Sequence, residues 1–197
     1  MWKLSRQQLR PQFHYKQYEN LTVFDQAIDN LLQAIARSQT DKGVTDLQPH
    51  FFNFTLDTTT AFLFGKDIQS LKASYMTEHG GVGVALDTAQ GYIARRFRLG
   101  PLFWLIGGKR FRDACRIVHR FAADVIDMNA GSHGEAGVED NYVFLNSIAK
   151  IIGDKTELRG QIMNTLVAGR DTTACLLSWT LSVSLNLPLR TRTNTQS

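Results

Sequence analysis

Proline and cysteine are both scarce in this chain, at four and two of 197 residues. The two thiols, Cys115 and Cys175, sit far apart in helix-like contexts and make no disulfide framework, so a reducing compartment is the default expectation. Charge of one sign is lacking too. Twenty-two Lys and Arg stand against 18 Asp and Glu, and the net +4 is spread along the chain, so no nucleic-acid partner is expected. The opening Met1-Trp2-Lys3-Leu4-Ser5-Arg6 has no basic segment followed by an apolar one, and neither a signal peptide nor a leading anchor is read there. The uncharged stretch Ala174 to Leu189 is rich in Ser, Thr and Asn and carries Pro188, which falls short of a membrane span. A glycine-rich phosphate loop, an HExxH helix, a CxxC pair and a GxSxG elbow are all missing. His14, His50, His79, His119 and His133 are scattered without partners at metal-ligand spacing, so no metal site is expected from them. The sequons at Asn20 and Asn53 carry little meaning without a secretory signal.

What is present is the balance of a globular core, 43% hydrophobic and 20% charged. Apolar residues recur at steps of three and four, and strand-like alternation is hard to find, so the fold class is all-α. The pattern predicts a short helix over Trp2 to Arg10, stopped by Pro11, and a second over Leu21 to Ser38 with Phe24, Ile28, Leu31, Leu32 and Ile35 on one face. A third, Leu47 to Phe64, is apolar on most sides and should be central. Gly80, Gly81 and Gly83 precede a fourth, Val84 to Arg96, which breaks at Gly100-Pro101. An apolar turn, Leu102-Phe103-Trp104-Leu105-Ile106, follows and ends at Gly107-Gly108. A fifth helix covers Lys109 to Met128. The polar stretch Gly131 to Asp140 reads as an exposed loop, and a sixth helix covers Tyr142 to Ile152. Asp154 with Glu157 resembles a capping box opening a long helix to Leu185. There is no internal repeat or linker, and residues 188–197 read as a disordered polar tail.

Two constellations carry chemistry. In Ala168-Gly169-Arg170-Asp171-Thr172-Thr173-Ala174, Gly169 permits close approach, and the threonines can bond back to carbonyls one turn earlier and bend the axis. Ala168 and Thr172, at i and i+4, leave room beside a hydroxyl that can donate to a bound oxygen species, and Asp171 could relay protons. The same heptapeptide also suits a kinked core helix whose threonines satisfy themselves. Trp2 and Arg6, four apart, form an N–H fork for a carboxylate or phosphate, or simply an amphipathic helix with a solvated arginine. Lys109, Arg112, Arg116 and Arg120 make a basic stripe beside the apolar turn, which suits a membrane surface or an ordinary solvated face.

Trp2-x-x-x-Arg6-x-x-Leu9-x-Pro11-x-Phe13, followed much later by Ala168-Gly169-x-Asp171-Thr172-Thr173, resembles the cytochrome P-450 superfamily in its helices C and I. Asp46 to Phe52, Thr55 to Gly65 and Leu176-Leu177-Ser178-Trp179 resemble the fungal alkane and fatty-acid hydroxylases of that superfamily. The resemblance implies a partial domain over residues 1–187, helices C to I, with most of the sheet missing. It implies heme as cofactor, with Trp2 and Arg6 on a propionate and Ala168, Gly169 and Thr172 along its oxygen side. Asp171 and Thr172 would then be the acid–alcohol pair that delivers protons. It implies monooxygenation of a long-chain apolar substrate with electrons from an NADPH-dependent reductase, on the endoplasmic reticulum membrane. The superfamily's Phe-x-x-Gly-x-x-x-Cys-x-Gly loop is absent, neither Cys115 nor Cys175 matches it, and the Glu-x-x-Arg pair is absent as well. The chain is therefore expected to be a fragment that lacks the iron's thiolate ligand and does not turn over. Without the anchor, it is expected in the cytoplasm or attached to the membrane periphery. A reading from another class is a non-enzymatic helical protein that binds lipid through the basic stripe and apolar turn.

Overall fold

The computed structural model describes residues 6, 10, 22–38, 43–65, 68–72, 80–131 and 144–186. Six α-helices and one 3-10 helix account for nearly all of them, and no strand occurs among the described residues. The chain is all-α.

Helix α1 (Thr22–Arg37) matches the expected second helix to within a residue at each end. Its buried side is shifted from the expected face. Ala27 is buried and the Phe24 ring lies 6.4 Å from that of Phe62, while Ile28 and Leu32 face solvent. A single helix packed at its neighbour's edge covers only a narrow stripe, so the outer members of a broad apolar face stay wet.

Helix α2 (Leu47–Phe64) has the limits that its pattern predicts. Asp46 caps it by accepting from the Gln48 N–H at 3.0 Å, and Gly65, at φ 66°, closes it in the left-handed conformation that glycine adopts freely. It packs against α1 on one side and the last helix on the other, so Leu56, Leu63 and Phe64 are buried. The β-branched polar run survives burial because Thr55, Thr58 and Thr60 each donate to a carbonyl one turn back. Asp57 is buried as well, and its two oxygens accept the backbone N–H groups of Ser70 (2.7 Å) and Leu71 (3.0 Å). That contact ties the turn after α2 back onto the helix.

Helix α3 (Gly80–Leu99) takes in Gly80, Gly81 and Gly83, which the sequence pattern left as a lead-in. Val82, Ala85, Leu86 and Ala89 bury one face, and tertiary contact outweighs the poor helix propensity of glycine. The break at Gly100-Pro101 is a 3-10 helix, Gly100–Leu105. Arg96 holds it: its Nε donates to the Ile106 carbonyl at 2.8 Å, and its guanidinium lies over the Phe111 ring. Helix α4 (Lys109–Gly131) runs three residues past the expected Met128, so Gly131 belongs to a helix rather than opening a loop. Helix α5 (Phe144–Ile151) is short. Helix α6 (Lys155–Asn186) starts where Asp154 accepts the Glu157 N–H at 3.0 Å, the Asp half of the expected capping box. It runs unbroken for 32 residues.

The core lies where α2, α3, α4, α5 and α6 converge, around Leu56, Leu86, Ala122, Leu145, Ile162 and Leu166. The expected helix from Trp2 to Arg10, apart from Arg6 and Arg10, lies outside the described residues, as do the polar loop after Gly131 and the tail at 188–197. Arg6 is helical and exposed.

Replacing Asp57 tests the α2–turn tie. Asp57→Ala leaves one buried and one half-buried N–H group without acceptors and should cost about 1–3 kcal/mol, read as a lower urea midpoint with unchanged slope. Asp57→Asn, which keeps one acceptor oxygen, should lose roughly half as much.

Candidate functional site

A helix advances about 100° per residue, so the heptapeptide at 168–174 distributes its side chains around the whole circumference of α6. Ala168 and Thr172 fall on one face, and both are exposed. The Thr172 hydroxyl donates to the Ala168 carbonyl at 2.6 Å, so its donor is used within the helix and its lone pairs remain toward the open side. Cys175, Leu176 and Trp179 continue this exposed face along the helix.

Gly169 does not share it. A Cβ built there would meet Thr59 Cγ2 of α2 at 2.9 Å and Thr59 Oγ1 at 3.0 Å, closer than packed atoms tolerate. The glycine is what lets α2 and α6 approach at this crossing. Asp171 sits on the flank of the open face, about 100° from Thr172. Its carboxylate is engaged on the α3 side, where it accepts from the Gln90 amide and from Arg170 Nη1 at 3.1 Å. The sequence-predicted pair is thus adjacent in the chain but directed to different neighbours.

Arg170 is the residue that sequence reasoning missed. It is 1% exposed, the largest fully buried side chain among the described residues. Its Nη1 pairs with Asp87 of α3 at 2.8 Å, its guanidinium lies 4.7 Å from the centre of the Phe52 ring of α2, and its Nε has no hydrogen-bond partner. A signal was present: Leu166, Arg170 and Ala174 recur at i, i+4 and i+8 on the buried stripe of α6, and an arginine in such a stripe demands a partner. Asp87 and Gln90 are the polar counterparts across the α3–α6 contact, Asp87 pairing with Arg170 and Gln90 with Asp171. Phe51 and Phe64 of α2 are buried.

A cavity of about 610 Å³ lies behind this junction, lined by Arg37, His50, Phe52, Lys72, Asp87 and Arg170 among others. Neither Ala168 nor Thr172 lines it. Trp2 is outside the described residues, so its pairing with Arg6 is not described either.

Residues 1–187 match the family described as Cytochrome P450. The chain belongs to that family. It is 40% identical over 194 residues to a protein named "Cytochrome P450" from Arthroderma benhamiae, covering 95% of this chain and 38% of that protein. It is 37% identical over 190 residues to "Cytochrome P450 52A4" of Candida maltosa, covering 90% of this chain and 35% of the relative. It is 32% identical over 207 residues to "Cytochrome P450 monooxygenase g430" of a Fusarium species, covering 96% and 36%. The chain spans a little over a third of the length of the curated relatives it matches.

Heme is the cofactor of the family. The open face of α6 fits one side of it. A small Ala168, a hydroxyl already turned back on its own helix and an apolar continuation through Leu176 suit a flat macrocycle with a polar reacting centre. The cysteines do not fit as the axial ligand. Cys175 is three residues beyond Thr172 on the same exposed face, so it would share whichever side of the ring Thr172 would face, and Cys115 is half-buried against the core on α4.

The close crossing predicts a stability change. Gly169→Ala gains roughly 0.5–1 kcal/mol of helix propensity but should lose about 1–3 kcal/mol to the Thr59 clash, a net drop in melting temperature. Adding Thr59→Ala removes the clashing atoms and should restore it.

Proposed function

We propose that this chain is the oxygen-side portion of a heme-thiolate monooxygenase that hydroxylates a long-chain apolar substrate, an alkane or fatty acid, with electrons from an NADPH-dependent reductase. The observation that carries this reading is the exposed Ala168–Thr172 face of α6 with its internal hydroxyl bond, in a chain that belongs to the cytochrome P450 family. Bound heme supplies oxygen activation, assisted by a thiolate that pushes electron density to the metal.

This chain's residues bind, shape and supply protons. Trp2 and Arg6 donate to a propionate, as a planar guanidinium and an indole N–H suit a carboxylate. Ala168 leaves space at the reacting centre, and the Thr172 hydroxyl orients a proton donor there while accepting a hydrogen bond at its free lone pairs. Asp171 is the acid that replenishes the proton. The family unit spans 1–187, and because these 197 residues contain no Phe-x-x-Gly-x-x-x-Cys-x-Gly sequence, they do not turn over alone.

In the full-length protein, Thr172→Ala should lower hydroxylated product per electron consumed by about tenfold or more, with the balance released as hydrogen peroxide. Unchanged coupling would remove Thr172 from the mechanism. For the 197-residue chain with hemin, reduction and carbon monoxide should give no red-shifted thiolate-type band, and Cys175→Ala should change nothing. A thiolate band lost in that variant would overturn the assignment.

A second reading concerns location. Leu102, Phe103, Trp104 and Leu105 are all exposed on the 3-10 helix, Trp104 by 65%, beside the exposed cations Lys109, Arg112, Arg116 and Arg120 of α4. No described helix is long and apolar enough to cross a membrane. An apolar turn rimmed by cations suits the interface of an anionic bilayer, which supports peripheral attachment at the endoplasmic reticulum surface. Flotation with vesicles containing phosphatidylserine should retain the chain, and Trp104→Ser with Arg112→Ala should abolish retention without altering melting temperature.

A further inference from the structure

The junction of α3 and α6 is built from two residues of each helix. Asp87 and Gln90, three apart on α3, meet Arg170 and Asp171, consecutive on α6. Arg170 Nη1 bridges Asp87 Oδ1 at 2.8 Å and Asp171 Oδ1 at 3.1 Å, and Gln90 Nε2 donates to Asp171 Oδ2. Both carboxylate oxygens of Asp171 are therefore held. One is held from its own helix and the other from a helix 81 residues earlier in the chain.

The two partners differ in chemistry. A guanidinium offers donors only: it can serve the unprotonated oxygen of the carboxyl in either state, but it cannot accept from the acid's O–H. A primary amide carries two donors on nitrogen and an acceptor on oxygen. It can donate to a carboxylate and, after rotation of its terminal group, accept from the protonated acid. Of the two, Gln90 alone can keep hold of an oxygen that gains and loses a proton, and the oxygen it holds is Asp171 Oδ2.

We propose that Gln90 is the positioning residue for Asp171, holding the carboxyl in both protonation states, so that the seating of α3 on α6 decides where this acid stands. The inference rests on the proposed role of Asp171 as proton donor. It assigns Gln90 no contact with substrate or cofactor. It follows that any displacement of α3 from α6 releases one oxygen of Asp171 and leaves Arg170 as the sole partner.

The test uses the full-length protein with Gln90→Met, which keeps the side chain's length and removes its amide, alongside Asp171→Asn and the double variant. Gln90→Met should raise both the peroxide fraction and the solvent deuterium isotope effect on kcat by about three- to tenfold and about twofold respectively, with KM for substrate unchanged. In the Asp171→Asn background the same change should add nothing. If Asp171→Asn perturbs coupling and Gln90→Met does not, the positioning role is wrong while the acid stands. If Asp171→Asn leaves coupling and isotope effect unchanged, the acid assignment falls and this inference with it. A readout independent of turnover is amide hydrogen exchange in the 197-residue chain without cofactor. Gln90→Met should speed exchange across Leu86–Ile93 and Arg170–Ala174 several-fold and leave α1 and α4 unaffected; uniform acceleration would mean global destabilisation and overturn the local tie. Gln90→Glu is the second variant: by setting carboxylate against carboxylate, it should reproduce the Gln90→Met effects, and a wild-type result would also overturn the proposal.

Discussion

Burying a guanidinium is unfavourable unless its charge and its hydrogen-bonding edge are answered nearby, and Arg170 is buried where three helices meet. Its charge is met by Asp87 from α3 and Asp171 from its own helix, and its flat face by the Phe52 ring from α2. Truncating one partner of such a group leaves an uncompensated buried charge, so the junction resists piecemeal change. Asp87 itself keeps a largely exposed side chain, and solvent screening reduces what the pair contributes to stability. Its larger effect is orientational. With Arg170 docked, the rotation of α6 about its axis is set, and with it the direction of every residue in the 168–174 segment.

That rotation explains how one heptapeptide serves two sides. The face carrying Ala168 and Thr172 is left open, and the opposite stripe of Leu166, Arg170 and Ala174 is sealed against the other helices. Gly169 lies between them, against Thr59, at the point where α2 comes closest. Packing of this tightness is what a glycine in a long helix signifies here, and no bend in the helix is needed to account for it. The threonine hydroxyls are likewise satisfied inside their helices, at Thr55, Thr58, Thr60 and Thr172.

The open face of α6 and the exposed apolar 3-10 helix are different kinds of surface. The first is a narrow stripe along one helix, running from Ala168 and Thr172 to Trp179. The second is a short convex turn between α3 and α4, held in place by Arg96 and bordered by arginines. Exposure is common to both, but only the second combines an aromatic tip with a cationic rim.

The helices were legible in the amino-acid order because apolar period, caps and glycine stops are local properties. Asp46 and Gly65 bound α2, Asp154 opens α6, and Gly107-Gly108 separates the apolar turn from α4. The family was legible too, since its motifs are short strings at long separation. The glycines at the start of α3 and the solvent exposure of Ile28 and Leu32 were decided by contacts between elements, which override weak local preference. The same holds for the site. Order alone placed Ala168 and Thr172 on one face, because i and i+4 always share one. Which face is open, that Gly169 turns to Thr59, and that Asp171 is held by Gln90 and Arg170 by Asp87 required α3 and α2 to be laid against α6. Those contacts join residues some 80 to 110 positions apart, and no local rule of spacing encodes a distance between helices that only packing brings together.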